Sequence, residues 1–428
     1  MKNFAHSAIS QPPAQTRQRQ TILTEAGRLK LLIAIPALNE EKSIESIITR
    51  SLAARDTIIA NSPVTDVEIT VVSDGSTDRT VEFASRYTDQ IKLITFKKNR
   101  GYGAAIKEAW QQSDAALLGF LDADGTCDPG FFTPLCNTLH SEQADVVLGC
   151  RINPESEMPF VRRVGNIIFA SILTLFSSKR VRDTASGMRV VRRSSLPKLM
   201  PLPDGLHFTP AMSARAILSD ELKISEIRMS YHEREGESKL RVGKDGLRFL
   251  KVILDTTFLY RPSRPLGLLG GLCLTIACAL MSMPTLYYAQ HRAVLEWMIY
   301  RFIVSNLLGT SGCLLLCASY LSREIVNITL SHRPSGASNK NLIAKMFSSR
   351  LFLLVPLLLI LAGGVLVVPS FLQLVRTGAT FEHWSRFIVM SFCYEVALIL
   401  SVTWIVNYAV GLLAKQLDYL RSSAHSWL

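Results

Sequence analysis

The chain has no cysteine pair at CxxC spacing, no HxH or HExxH grouping of histidines, and no apolar stretch in its first 28 residues. The first two absences exclude the common zinc-site spacings and a disulfide framework, and fit a reducing compartment. The third excludes a secretory signal peptide, so the first half is expected in the cytosol and residues 1–28 as a disordered polar segment. No internal repeat of useful length is present, and no basic–aromatic motif of the kind nucleic-acid binders carry. The eight cysteines divide as Cys127, Cys136 and Cys150 in a charged first half and five in an apolar second half.

What is abundant is positive charge and long apolar runs. The net charge is +12 over 428 residues. The cations collect at Arg241, Lys244, Arg248, Lys251, Arg261 and Arg264, and again at Arg323, Arg333, Lys340, Lys345 and Arg350. Runs long enough to cross a bilayer lie at 266–288, 298–321, 351–375 and 387–413. Basic clusters flanking such runs follow the positive-inside pattern, with an anionic leaflet rather than nucleic acid as the partner. Four spans put both chain ends on one side, and the basic 323–350 loop makes that side cytosolic. The expectation is a multi-pass protein of the cytoplasmic (inner) membrane, with spans inside a 263–416 domain. Segment 241–262, basic on one face and apolar on the other, is expected to lie on the membrane surface. Glu395 falls inside the fourth run, where a carboxylate is expensive and meets either a lipid phosphate or a neighbouring helix.

From residue 29 to 240 short apolar runs alternate with helical periods. Strands are expected at 31–35, 67–72, 91–96, 117–121 and 146–148, and helices at 40–58, 77–88, 103–112 and 129–140. Strands this apolar, separated by helices, predict an α/β, Rossmann-like, mostly parallel sheet covered on both faces. Ligands of such sheets sit beyond the carboxyl ends of the strands.

The residues at those ends carry the chemistry. Asp122-Ala123-Asp124 follows the fourth strand, and two carboxylates at i, i+2 can share a hard cation whose other positions go to phosphate oxygens. Pro36-Ala37-Leu38-Asn39-Glu40-Glu41 leaves the first strand and Asp74-Gly75-Ser76-Thr77-Asp78 the second. Asn39 and either Thr77 or Asp78 also suit local helix N-caps. Asn99-Arg100-Gly101-Tyr102-Gly103 opens a helix with glycines, suiting close approach to an anion. His207 and His232 read as packing or surface residues. Asp183, beside Ser186-Gly187, suits either an acceptor site or a turn.

In this order, these segments resemble glycosyltransferase family 2, of GT-A fold. The continuation through Gly149-Cys150-Arg151, Met158-Pro159, Arg163, Gly165-Asn166, Asp183–Arg189 and Arg234–Lys239 is similar to the dolichyl- or polyprenyl-phosphate mannose and glucose synthases. The resemblance covers about 30–240. It implies that Pro36, Leu38, Glu40 and Asp74, with Gly103 and Ala123, line the nucleotide-sugar pocket. It also implies that Asp122 contacts the nucleotide and, with Asp124, a Mg2+ or Mn2+ ion. Arg151 then lies near the sugar or acceptor phosphate, and Arg234 and Lys239 hold phosphates. Two positions depart from the pattern: Thr126 stands where many synthases have a glutamine, and the RxxGxSK segment is one residue shorter.

A phosphate acceptor also follows from chemistry. Transfer to a sugar hydroxyl needs a general base, whereas a lipid monophosphate is already largely anionic near neutrality and needs cations instead. Arg151, Arg163, Arg189, Arg234 and Lys239 are the candidates, Arg163 and Arg189 reading more as solvated surface charges. The expected function is an inverting hexosyltransferase moving sugar from a nucleotide diphospho-sugar, of UDP-glucose or GDP-mannose type, to a polyprenyl phosphate. The alternatives are transfer to another lipid or a polysaccharide, and a nucleotide-binding lipid transporter. No QxxRW motif of processive synthases occurs in 190–260. Oligomeric state is left open, a homo-oligomer included.

Overall fold

The computed structural model describes residues 29–233, 239, 241–330, 347, 349–380 and 382–426. It divides into two units, Met1–Thr256 and Thr257–Leu428. The first holds strands β1 (Lys30–Ala37), β2 (Asp66–Ser73), β3 (Lys92–Thr95), β4 (Leu117–Phe120), β5 (Val146–Cys150), β6 (Arg189–Arg192) and β7 (Ile224–Arg228). Its helices are α1 (Ile44–Asn61), α2 (Thr80–Ser85), α3 (Tyr102–Gln111), α4 (Phe132–Ser141), α5 (Phe160–Phe176), α6 (Leu196–Leu199) and α7 (Phe208–Leu218). Helix α8 (Val242–Tyr260) ends the unit and runs into the second.

The seven strands form one sheet in the order β3-β2-β1-β4-β6-β5-β7. Strand β6 is antiparallel to β4 and β5, and the other pairings are parallel. This is the mostly parallel α/β sheet that the apolar runs predict. Each inner strand is buried on both faces, so the core lies in two layers. One centres on Ile33, Ile35, Val71 and Phe132, the other on Leu32, Ala34, Phe120 and Phe208. The strand order turns at β1, which lies between β2 and β4, and sheets of this kind have their ligand crevice at the carboxyl ends of such a turn.

Several boundaries differ from expectation. Pro36 does not stop β1; it pairs with Val72, and the strand runs on to Ala37. The ladder to β4 ends at Ala34, so the missing N–H of Pro36 costs no bond on that side. Helix α1 begins at Ile44, later than position 40, because the N–H groups of Asn39, Glu40 and Glu41 are spent on side chains of the Ser76–Thr80 segment. Helix α5 and strands β6 and β7 were not anticipated as elements.

The second unit contains α9 (Ser263–His291), α10 (Ile299–Thr329), α11 (Leu354–Thr377) and α12 (Trp384–Ser426). These four helices are long and apolar enough to cross a membrane. Glu395 of α12 accepts from Ser391 Oγ at 2.6 Å and from Asn306 Nδ2 of α10 at 3.5 Å, so the intramembrane carboxylate meets a neighbouring helix.

Candidate active site

Two loops close one side of the crevice by bonding to each other. Asn39, at φ +51°, accepts the Thr77 N–H at 2.8 Å, while its own N–H donates to Ser76 Oγ at 3.1 Å. The Glu40 N–H donates to Thr80 Oγ1 at 2.8 Å, and the Glu41 N–H to Asp78 Oδ2 at 3.1 Å. Asp78 does cap its own turn, accepting the Thr80 N–H at 3.0 Å. Asn39 does not cap a helix, because its amide is used across the loops. Pro36 is buried and Leu38 half-buried at the exit of β1, with Glu40 buried just beyond.

Asp74 lies just past β2, and both its oxygens are engaged. They accept the backbone N–H groups of Arg100 at 2.6 Å and Gly101 at 2.9 Å. Burial raises its carboxyl above the usual range even against these bonds. The turn it holds needs glycine, since Gly101 sits at φ +108°. The expected anion approach at this helix start is taken by the chain itself. The Gly103 and Ala104 N–H groups donate to the Asp204 carbonyl at 2.6 and 3.1 Å, and a Cβ on Gly103 would fall 2.3 Å from the Pro203 carbonyl oxygen.

The two aspartates after β4 lie at the same end of the sheet. Asp122 Oδ1 accepts the Tyr102 hydroxyl at 2.6 Å. Its other oxygen lies over Gly187, where a Cβ would stand 1.8 Å from Oδ2. Asp124 is 8 % exposed, and its Oδ1 accepts the Thr126 hydroxyl at 2.7 Å. Ala123 between them is buried in the core. Thr126, in the place of the family's glutamine, therefore braces Asp124. Beside it Cys127 is buried, and burial together with Asp122 pushes its thiol up to about 12, so it is inert.

Arg151 and Asp183 form a buried bidentate pair, Nε–Oδ2 2.7 Å and Nη2–Oδ1 2.9 Å, and the Arg151 N–H donates to Oδ2 at 3.0 Å. Asn166 Nδ2 donates to Asp183 Oδ1 at 2.6 Å, and Asn166 Oδ1 accepts the Thr184 N–H at 3.0 Å. Burial alone would raise the Asp183 carboxyl and lower the Arg151 guanidinium, but their mutual attraction outweighs it and shifts both the other way. Asp183 is thus neither an open acceptor group nor a plain turn. The fork of Arg151 is closed on a carboxylate rather than presented to a phosphate.

Arg189 corrects the surface reading. It is fully buried, donating to the carbonyls of Ser186 and Thr184 and to Ser213 Oγ, and burial lowers it to about 10. Arg163 is half-buried against the Asn153 carbonyl at 3.5 Å. Lys239 Nζ reaches the Asn39 carbonyl at 3.0 Å and Glu40 Oε1 at 3.6 Å, at the exit of β1. Arg234 lies outside the described residues. Tyr231 was missed: it is buried 5.4 Å under the Arg151 guanidinium. Its signal was proximity to the Arg234–Lys239 motif. Helix α5 was also missed, although its apolar residues recur at helical spacing. Phe160, Val161, Val164, Ile167, Ile168 and Leu175 are exposed on it, and Phe169 packs on Phe249 of α8.

The donor set suits a hard divalent cation. Asp122 and Asp124 offer carboxylate oxygens, and no cluster of three or more His, Cys, Asp or Glu ligands forms among the described residues. Two carboxylates leave the remaining positions to phosphate oxygens and water, as Mg2+ prefers. Gly187→Ala should lower activity on the order of a hundredfold by displacing Asp122, with an unchanged melting temperature. Activity within threefold of wild type would show that Asp122 tolerates the shift.

The profile of Glycosyl transferase family 2 matches residues 32–200. The dolichyl-phosphate hexose transferase of Haloferax volcanii is 32% identical over 225 residues, covering 51% of this chain and 90% of that one. The low-salt glycan biosynthesis hexosyltransferase Agl6 of the same organism is 32% identical over 254 residues, 58% of this chain, and the match spans 59% of its own length. Among solved structures, glucosyl-3-phosphoglycerate synthase from Mycobacterium tuberculosis, in complex with Mn2+ and UDP, aligns at a TM-score of 0.44. It is 19% identical, covering 55% of this chain and 80% of that one.

Proposed function

We propose, from the premise that this chain belongs to glycosyl transferase family 2, that it moves a hexose from a nucleotide diphospho-sugar to a polyprenyl phosphate. The observation that carries the reading is the pair Asp122 and Asp124 at the strand-order turn of the sheet, in a chain that continues into four span-length helices. A relative of which this chain covers 90% is named a dolichyl-phosphate hexose transferase.

In this reading Pro36, Leu38, Glu40 and Asp74 border the base and ribose, with Gly103 and Ala123 behind them. Asp122 and Asp124 would hold Mg2+ or Mn2+, which when bound neutralises charge on the leaving diphosphate. Lys239, at the β1 exit, supplies a point charge to the donor side, and Arg234 a second phosphate contact. Arg151, locked by Asp183 in a bidentate ion pair, contributes a rigid wall. The acceptor phosphate attacks the anomeric carbon opposite the leaving group, giving inversion, and no side chain has to remove a proton.

The catalytic unit sits at the cytosolic membrane face, where the acceptor's tail stays in lipid. The exposed apolar residues of α5, and Leu247, Leu254 and Phe258 on basic α8, support that placement. The test is a panel of radiolabelled nucleotide sugars given to membranes with polyprenyl phosphate. One donor should yield label in the organic phase that depends on the lipid. Label only in polysaccharide, or none with any donor, would refute the acceptor assignment.

A further inference from the structure

We propose that Tyr102 is a positioning residue for the sugar-donor site, its hydroxyl fixing the Asp122 carboxylate in the orientation that meets the nucleotide. The inference rests on the donor reading above and adds a residue to it.

Three observations converge on this hydroxyl. The Tyr102 ring is caged edge-on by Phe120 at 6.5 Å and Phe208 at 6.4 Å, so it has no room to swing. Apolar packing has no need of a polar group, yet the hydroxyl of the half-buried Tyr102 donates to Asp122 Oδ1 at 2.6 Å. A bond of that length to a carboxylate is charge-assisted, and about twice as strong as a neutral one. The other oxygen of Asp122 lies against Gly187, at a distance no Cβ could share. One oxygen is tied and the other hemmed in, so the carboxylate cannot turn about its Cβ–Cγ bond.

The position of Tyr102 is itself set from the neighbouring strand end. It is the first residue of α3, directly after Gly101, whose N–H is held by Asp74. Asp74, the turn, Tyr102 and Asp122 thus connect the exit of β2 to the exit of β4. The two ends of the donor would be read by side chains that share one scaffold.

Tyr102→Phe removes the hydroxyl and keeps the cage. In the full-length chain in detergent, three quantities are compared with wild type: melting temperature, calorimetric affinity for UDP and GDP with Mn2+, and transfer kinetics. The donor KM and nucleotide Kd should each rise about tenfold, the typical worth of a hydrogen bond to a charged group. The kcat, the acceptor KM and the melting temperature should hold. Because Tyr102 acts through Asp122, adding Tyr102→Phe to Asp122→Asn should weaken binding little beyond the single Asp122→Asn change. Unchanged nucleotide affinity, a lower melting temperature with intact KM, or losses that multiply in the double variant would each overturn the inference alone. A wild-type chain that binds neither nucleotide would overturn the donor reading, and this inference with it.

Discussion

Replacing Asp124 by asparagine is expected to cut sugar transfer by about a hundredfold or more while leaving the fold intact, the usual scale for loss of a key electrostatic stabiliser. The substitution is nearly isosteric. The asparagine carbonyl oxygen can still accept the Thr126 hydroxyl that Asp124 Oδ1 takes at 2.7 Å, so the turn after β4 keeps its brace. Only the negative charge disappears. If that charge helps hold a divalent cation against the donor diphosphate, turnover collapses even with excess metal, and the melting temperature stays put. A variant retaining more than about a tenth of wild-type turnover would remove Asp124 from the proposed metal set.

Asp183→Leu is expected to act through stability as well as activity. It leaves the Arg151 guanidinium buried without its bidentate partner, a loss of about 3–5 kcal/mol. For a unit of this size that is a fall in melting temperature of roughly 6–20 °C. The double replacement Asp183→Leu with Arg151→Met removes the orphaned charge and should regain much of the lost stability. It should not regain transfer, because the rigid hydrogen-bonded wall that the pair forms with Asn166 is gone. A single variant that melts like wild type would mean that water or a relaxed rotamer already satisfies Arg151. A double variant that transfers normally would reduce the pair to scaffolding.

The first five strands were legible because buried strands write themselves as continuous apolar runs, whereas β6 and β7 are flanked or interrupted by charge. Leu31–Ile35 and Leu117–Phe120 needed nothing more than hydropathy and punctuation to be placed. The carboxylates at the strand ends were legible for the same reason: the strands point to them. What the sequence hid was which polar groups spend their charge on the protein. Arg189 reads as a surface cation because a lone arginine in a chain carries no sign of Ser186, Thr184 and Ser213 converging on it. Arg151 reads as open to phosphate because Asp183, its partner, lies far along the chain. Gly103 reads as an opening for an anion until the Asp204 carbonyl is seen on its N–H. Helix α5 does not stand out in the sequence because Arg162, Arg163 and Asn166 interrupt its apolar run.

The sheet order has a consequence for synthesis. Strands β2 to β4 each find a neighbour among segments already made, since β2 pairs with β1, β3 with β2 and β4 with β1. Strand β5 does not. Both its neighbours, β6 and β7, come later in the chain. While the ribosome extends from Cys150 toward Arg192, the nascent protein carries a fully apolar strand with no partner, and α5 emerges with its apolar stripe uncovered. That interval combines the two hazards that bring unfinished chains together, a naked strand edge and a greasy helix. Antiparallel β6, inserted between β4 and β5, closes it.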